Sequence, residues 1–182
     1  MVSSSSSWHS TYDVFPSFSG EDVRRTFLSH VHEEFERRGI FTFKDNGIAR
    51  SRSIGPELER AIRESRIAIV VLSRNYASSG WCLNELLQIM KQRRTSEQTV
   101  MTVFYQLDPY DVRKHTGKFG RAFMKTHVGK SSEEKQRWKH ALTEVSNIAG
   151  EHSEKWYVMS FLSDFHSFIS SPSHFHVSWF RV

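Results

Sequence analysis

Glu85 follows Trp81 by four residues and Cys82 by three in a segment with helical periodicity, so the three side chains share one helix face. A carboxylate beside an indole is suited to electrostatic work. Breaking an N-glycosidic bond to a cationic leaving group such as nicotinamide builds positive charge on the ribose, and a fixed carboxylate stabilises that charge. Such a leaving group departs neutral and needs no acid to protonate it, unlike an O-glycoside, whose hydrolysis normally takes two carboxylates. Spacing alone leaves blander readings open. A glutamate on a helix is more often solvated, and a lone cysteine is more often a small buried hydrophobe than a nucleophile.

Other candidates are weaker. Ser19-Gly20-Glu21-Asp22, at a helix start, could offer backbone N–H groups to a phosphate. Its two acids oppose an anion there, and capping by Ser19, with Asp22 three residues on, is the commoner local role. The segment is neither a P-loop nor a dinucleotide glycine fingerprint. Arg50 and Arg52, in a polar loop, suit a pyrophosphate or an acidic partner surface as well as plain solvation. His166, His174 and His176 lack the Cys/His spacing of a structural zinc site, so no metal is expected.

Positioning these residues requires a particular order of elements. Tyr12-Asp13-Val14-Phe15 reads as a strand, and Val23, Phe27, Val31 and Phe35 form an apolar stripe on a helix that ends at Gly39. Ile40 to Phe43 reads as a second strand. A polar loop over residues 44–55 leads to Pro56, suited to the first position of a helix carrying Leu58, Ala61 and Ile62. The unbroken apolar run Ile67-Ala68-Ile69-Val70-Val71-Leu72 predicts a strand buried on both faces of a parallel sheet. A helix over residues 81–94 follows, with Leu83, Leu86, Leu87 and Met90 inward. Then come a strand at 100–105, a short helix at 119–126 and a long one at 131–149, with a fifth strand near Val128 or after the last helix. Alternating strands and helices imply right-handed crossovers. The expected fold is therefore α/β, a flavodoxin-like three-layer α/β/α arrangement around a central five-stranded parallel sheet in the order 2-1-3-4-5. Ligands in such sheets collect beyond the carboxyl ends of the first and third strands, which points to residues 17–21, 44–55 and 73–85.

Composition bounds the setting. The 182 residues carry a net charge of +5 spread over many helices, which weighs against nucleic acid as a partner. One cysteine excludes an intrachain disulfide, and neither a signal peptide nor a membrane-spanning run is legible, so a cytoplasmic or nuclear protein without membrane contact is expected. Residues 1–10 read as a serine-rich leader, 11–156 as the folded domain and 157–182 as an atypical tail. The tail holds eight aromatics and two charged residues between Trp156 and Val182, and those aromatics are expected to have no place in the core.

Successive blocks of the chain resemble a known family. They are Tyr12-Asp13-Val14-Phe15, Ser17-Phe18-Ser19-Gly20-Glu21-Asp22, Gly39-Ile40-Phe41-Thr42-Phe43, Ile54-Gly55-Pro56-Glu57-Leu58, Ala61-Ile62, and Asn75-Tyr76-Ala77 through Gly80-Trp81-Cys82-Leu83-Asn84-Glu85-Leu86. Val103-Phe104-Tyr105, Asp108-Pro109, Asp111-Val112-Arg113 and Thr116-Gly117 complete the order. The sequence is similar in these blocks to plant TIR (Toll/interleukin receptor-like) domains of intracellular immune receptors, from about residue 11 to 156. In that family nucleotide-binding and leucine-rich-repeat regions usually follow, and the resemblance implies a TIR-only or truncated form here.

The resemblance implies a flavodoxin-like fold, with the polar loop as the family's BB loop. It also implies hydrolysis of NAD with Glu85 as the catalytic residue, yielding nicotinamide and ADP-ribose or its cyclic and variant forms as immune signals. NAD would be the substrate, and no further cofactor is implied. Matching positions for the dinucleotide are Ser19, Gly20, Glu21, Asp22, Val23, Arg24 and Ser51, with Trp81 beside the glutamate. Ser29-His30 resembles the family's self-association motif, which implies TIR–TIR pairing with further copies or with other TIR immune receptors. Two departures bear on dinucleotide affinity and loop geometry: Ser19 replaces a common arginine, and Ser51-Arg52 replaces Gly-Glu. Two functions therefore stand side by side, an NAD hydrolase active on self-association and a non-catalytic TIR module that pairs with full-length receptors.

Overall fold

The computed structural model describes residues 10–23, 28–44, 55–96, 98–148, 150–152 and 165. The serine leader, nearly all of the tail and most of the polar loop lie outside these residues. The elements are β1 (Tyr12–Phe18), α1 (Gly20–Val23), α2 (Ser29–Arg37), α3 (Pro56–Arg63), β2 (Ser65–Leu72), α4 (Gly80–Thr95), β3 (Thr99–Phe104), α5 (Pro109–Lys114), α6 (Gly117–Thr126), α7 (Ser132–Ser146) and β4 (Gly150–His152), with a 3-10 turn at Tyr76–Ser78.

Main-chain and capping chemistry sets the ends of these elements. Gly39 takes φ 70°, its N–H donating to the Glu36 carbonyl while the Ile40 N–H donates to that of Phe35. This pair of bonds closes α2 in a Schellman motif. Pro56 opens α3 after an extended Gly55. Ser79, Asp108 and Ser131 cap α4, α5 and α7 by accepting from the N–H of Cys82, Tyr110 and Glu134.

β1, β2, β3 and β4 pair in that order, all parallel. Side chains of β2 alternate between two cores, as a period of two requires. Ile67, Ile69 and Val71 face a cluster with Val14, Val23, Val31 and Phe35, while Ala68, Val70 and Leu72 face the helical layer that contains α4 and α7. The three-layer flavodoxin-like arrangement follows from this split.

Two expectations are corrected. Residues 40–43 join β1 on the edge away from β2 by a single bridge, Val14 to Thr42, so among the described residues the expected second strand is reduced to that bridge beside a four-stranded sheet. Asp13 is the reason: its carboxylate accepts from the Phe41 N–H at 2.9 Å and interrupts the main-chain ladder there. With β4 following α7, Val128 is no strand residue; it lies 83% exposed in the turn after α6. α1 and α2 both fall within the helix expected to end at Gly39, and residues 24–27 between them lie outside the described residues.

The second correction concerns the tail. Phe165 is fully buried and packs on Phe35 with ring centroids 4.8 Å apart, inside the cluster under α2. An aromatic from beyond residue 155 thus belongs to the core. Phe165→Ala should destabilise the domain by about 3–5 kcal/mol, as expected for removal of a fully buried ring. Thermal unfolding of that variant, and of a chain truncated after residue 155, should show melting well below the full chain.

Candidate functional site

The carboxyl ends of β1 and β2 converge on the first turns of α4. Ser17, one residue before the end of β1, points into the protein and is fully buried. Glu85 lies in the second turn of α4 and is only 7% exposed, so its carboxylate is not on a solvated helix face. Burial of an ionised carboxylate requires hydrogen-bond donors. Trp81 Nε1 donates to Oε1 at 2.6 Å, and Ser17 Oγ donates to Oε2 at 2.7 Å. Behind Ser17 stands the fully buried Tyr76, its hydroxyl 2.8 Å from Ser17 Oγ and 3.1 Å from the Cys82 carbonyl.

The Cys82 thiol, almost completely buried, donates to the Phe18 carbonyl at 3.4 Å, so the buried-hydrophobe reading fits.

The positions expected to meet a dinucleotide are arranged unevenly. Ser19 is 6% exposed at the start of α1, with Gly20 partly and Glu21 fully exposed beside it. Val23 is buried in the core beneath α2. Asp22 does not form the reciprocal half of a capping box with Ser19. Its carboxylate instead accepts from the Asn75 N–H at 2.7 Å and from Asn75 Nδ2 at 2.8 Å, stapling α1 to the turn that carries Tyr76. Arg24, Arg50, Ser51 and Arg52, and the histidines of the tail, lie outside the described residues. Ser29 is half-buried and His30 exposed on α2, whose Val31 and Phe35 face the core.

Sequence reasoning singled out neither Ser17 nor Tyr76 as chemistry-bearing. The available signal was a serine among apolar residues near the end of the first strand and a tyrosine within the stretch expected at the ligand end of the sheet.

The TIR domain family pattern matches residues 11–171. The chain belongs to the TIR domain family. It is 63% identical over 146 residues to the disease resistance-like protein DSC2 of Arabidopsis thaliana, covering 80% of this chain and 12% of that protein. It is 58% identical over 154 residues to the disease resistance protein RPS6 of the same plant, covering 85% and 14%. The chain thus spans about an eighth of the length of these relatives. Among solved structures, the TIR domains of the activated Roq1 resistosome, which directly recognises the pathogen effector XopQ, superpose with a TM-score of 0.79 at 40% identity, over 87% of this chain and 99% of that one. Phe165 falls inside the matched span, in line with its place in the core of this TIR domain. Among the described residues no helix is long and apolar enough to cross a membrane.

Burial changes what a mutation of Glu85 does to this TIR domain. Alanine would leave the Trp81 N–H and the Ser17 hydroxyl without their acceptor, which costs about 1–3 kcal/mol, whereas glutamine keeps one carbonyl oxygen in place. Glu85→Ala should therefore melt several degrees lower than Glu85→Gln, as read by differential scanning calorimetry.

Proposed function

We propose that this TIR domain hydrolyses NAD at the bond between nicotinamide and ribose, and that it signals in plant immunity. What carries the reading is a carboxylate, Glu85, buried at the carboxyl end of a parallel sheet and tethered through both oxygens. Heterolysis sends the bonding electron pair to the nicotinamide nitrogen, which leaves neutral, while positive charge develops at the ribose carbon. A fixed anion stabilises that charge more than it stabilises the bound substrate, and this difference is what accelerates a reaction. Water then adds to the ribose carbon and releases a proton, giving ADP-ribose; attack by a group of the substrate itself gives a cyclic or variant product. NAD is the substrate, and the scheme needs no other cofactor. The dinucleotide would lie against Ser19 to Arg24, Ser51 and Trp81.

Self-association supports activity in this reading. Ser29 and His30 would meet a second copy across a symmetric interface, or another TIR immune receptor. The Arabidopsis relatives are disease resistance proteins, and the resistosome TIR domains have this fold inside an assembly.

A second reading has one observation in its favour. Ser19 is a small, nearly buried side chain where the family commonly carries an arginine, so this position brings no cation to a pyrophosphate. In that case the chain is a non-catalytic module that pairs with full-length receptors.

Nicotinamide release from NAD, followed across a series of protein concentrations, separates the two. Hydrolysis by the wild type that rises more steeply than linearly with concentration, and is lost in folded Glu85→Gln, is the expected result. Pairing without turnover would leave the interaction module. Ser29→Ala with His30→Ala should weaken self-association by about tenfold, the effect of losing roughly 1.4 kcal/mol at an interface. Light scattering and the concentration dependence of turnover should shift together.

A further inference from the structure

Three contacts around Ser17 share two hydroxyl hydrogens. Ser17 Oγ lies 2.7 Å from Glu85 Oε2 and 2.8 Å from Tyr76 Oη, and Tyr76 Oη lies 3.1 Å from the Cys82 carbonyl. An ionised carboxylate only accepts, so the Ser17 hydrogen points at Glu85. The contact between the two hydroxyls must then be made by the Tyr76 hydrogen, for which the Cys82 carbonyl is the rival acceptor. With the Tyr76 hydrogen turned to Ser17, the bonds run from Tyr76 to Ser17 to Glu85; turned to the Cys82 carbonyl, it leaves only the Ser17-to-Glu85 bond. Burial pushes the Tyr76 phenol well above its ordinary pKa, with Cys82 and Glu85 acting the same way and the Ser17 hydrogen bond opposing them. The phenol is a donor throughout the working pH range.

A glutamate's terminal torsion is broad and roughly two-fold, so one hydrogen bond leaves the plane of the carboxylate free to swing. Bonds to different oxygens from two elements fix that plane. Trp81 supplies one from the same helix and Ser17 the other from β1. Both Ser17 and Tyr76 are fully buried, beneath the carboxylate rather than beside a ligand.

We propose that Ser17 and Tyr76 are positioning residues that hold the Glu85 carboxylate in its working orientation, Tyr76 acting only through Ser17. The proposal rests on the NAD-hydrolase reading for its effect on turnover; its effect on the carboxylate stands apart from that reading. Each therefore has its own readout. The indole N–H resonance of Trp81, identified in nitrogen-15 spectra by its loss in Trp81→Phe, reports the orientation of the carboxylate to which it is bonded. The kinetic constants for nicotinamide release from NAD report the consequence for catalysis.

Ser17→Ala should move the Trp81 resonance and lower kcat by about tenfold to a hundredfold, the range for a misplaced catalytic group, with KM within about twofold. Ser17→Thr, which keeps the hydroxyl, should restore most of both. Tyr76→Phe should shift the same resonance in the same direction by less, and should change nothing further when added to Ser17→Ala. An unmoved Trp81 resonance in folded Ser17→Ala, or additive losses in the double variant, would overturn the proposal. Should Ser17→Ala not fold, Tyr76→Phe keeps the ring and decides through the same resonance. If the wild type releases no nicotinamide, the hydrolase reading fails while the resonances still decide the positioning.

Discussion

A strand buried on both faces leaves little freedom to what surrounds it. Of the eight residues of β2 only Arg66 is exposed, and its apolar side chains feed two separate cores. A slip of one residue would exchange the two sets and bring Ala68 where Ile67 or Ile69 now packs, so register with β1 and β3 is fixed tightly. That register sets Ser17 beside Val70 in β1 and delivers the chain, just past Leu72, into the turn that holds Tyr76. The candidate site is a consequence of where β2 ends.

Against this frame a charged group has been taken out of water. An isolated carboxylate in such a place would be protonated or would force the helix outward. Glu85 is retained because three elements contribute to its surroundings: Ser17 from β1, Tyr76 from the turn after β2, and Trp81 from α4 itself. Donors held by strand and helix backbones reorganise little, which is the physical meaning of electrostatic preorganisation. Asp22 extends the same scheme outward, since its bonds to Asn75 tie α1, where a dinucleotide is expected, to the residue next to Tyr76.

Much of this was legible in the chain, and the reasons are local. The run Ile67 to Leu72, the stripe Leu83, Leu86 and Met90 and the turn at Gly39 each encode their structure within a few residues. The family resemblance brought Glu85 forward, whereas helical spacing alone left it among solvated glutamates. What stayed hidden depends on contacts between distant residues. Ser17 meets Tyr76 and Glu85 across 59 and 68 residues, which no periodicity registers. Asp22 looked like half of a capping box because its partner Asn75 lies 53 residues away. Phe165 was hidden by its neighbourhood: a serine- and aromatic-rich stretch has no repeat to follow, yet a single ring from it closes the core against Phe35.

Cys82 gives the molecule a built-in clock. The chain has one thiol, and it is turned into the protein against the backbone of β1, one turn from Glu85 on the same helix. A disulfide reagent reaches it only during excursions in which the start of α4 parts from the end of β1. When reclosing is fast, the observed labelling rate is the intrinsic thiol rate multiplied by the equilibrium constant for that excursion. The ratio of labelling rates in the folded and unfolded chain therefore converts directly into a local opening free energy, and NAD held at this end of the sheet would lengthen the interval between events.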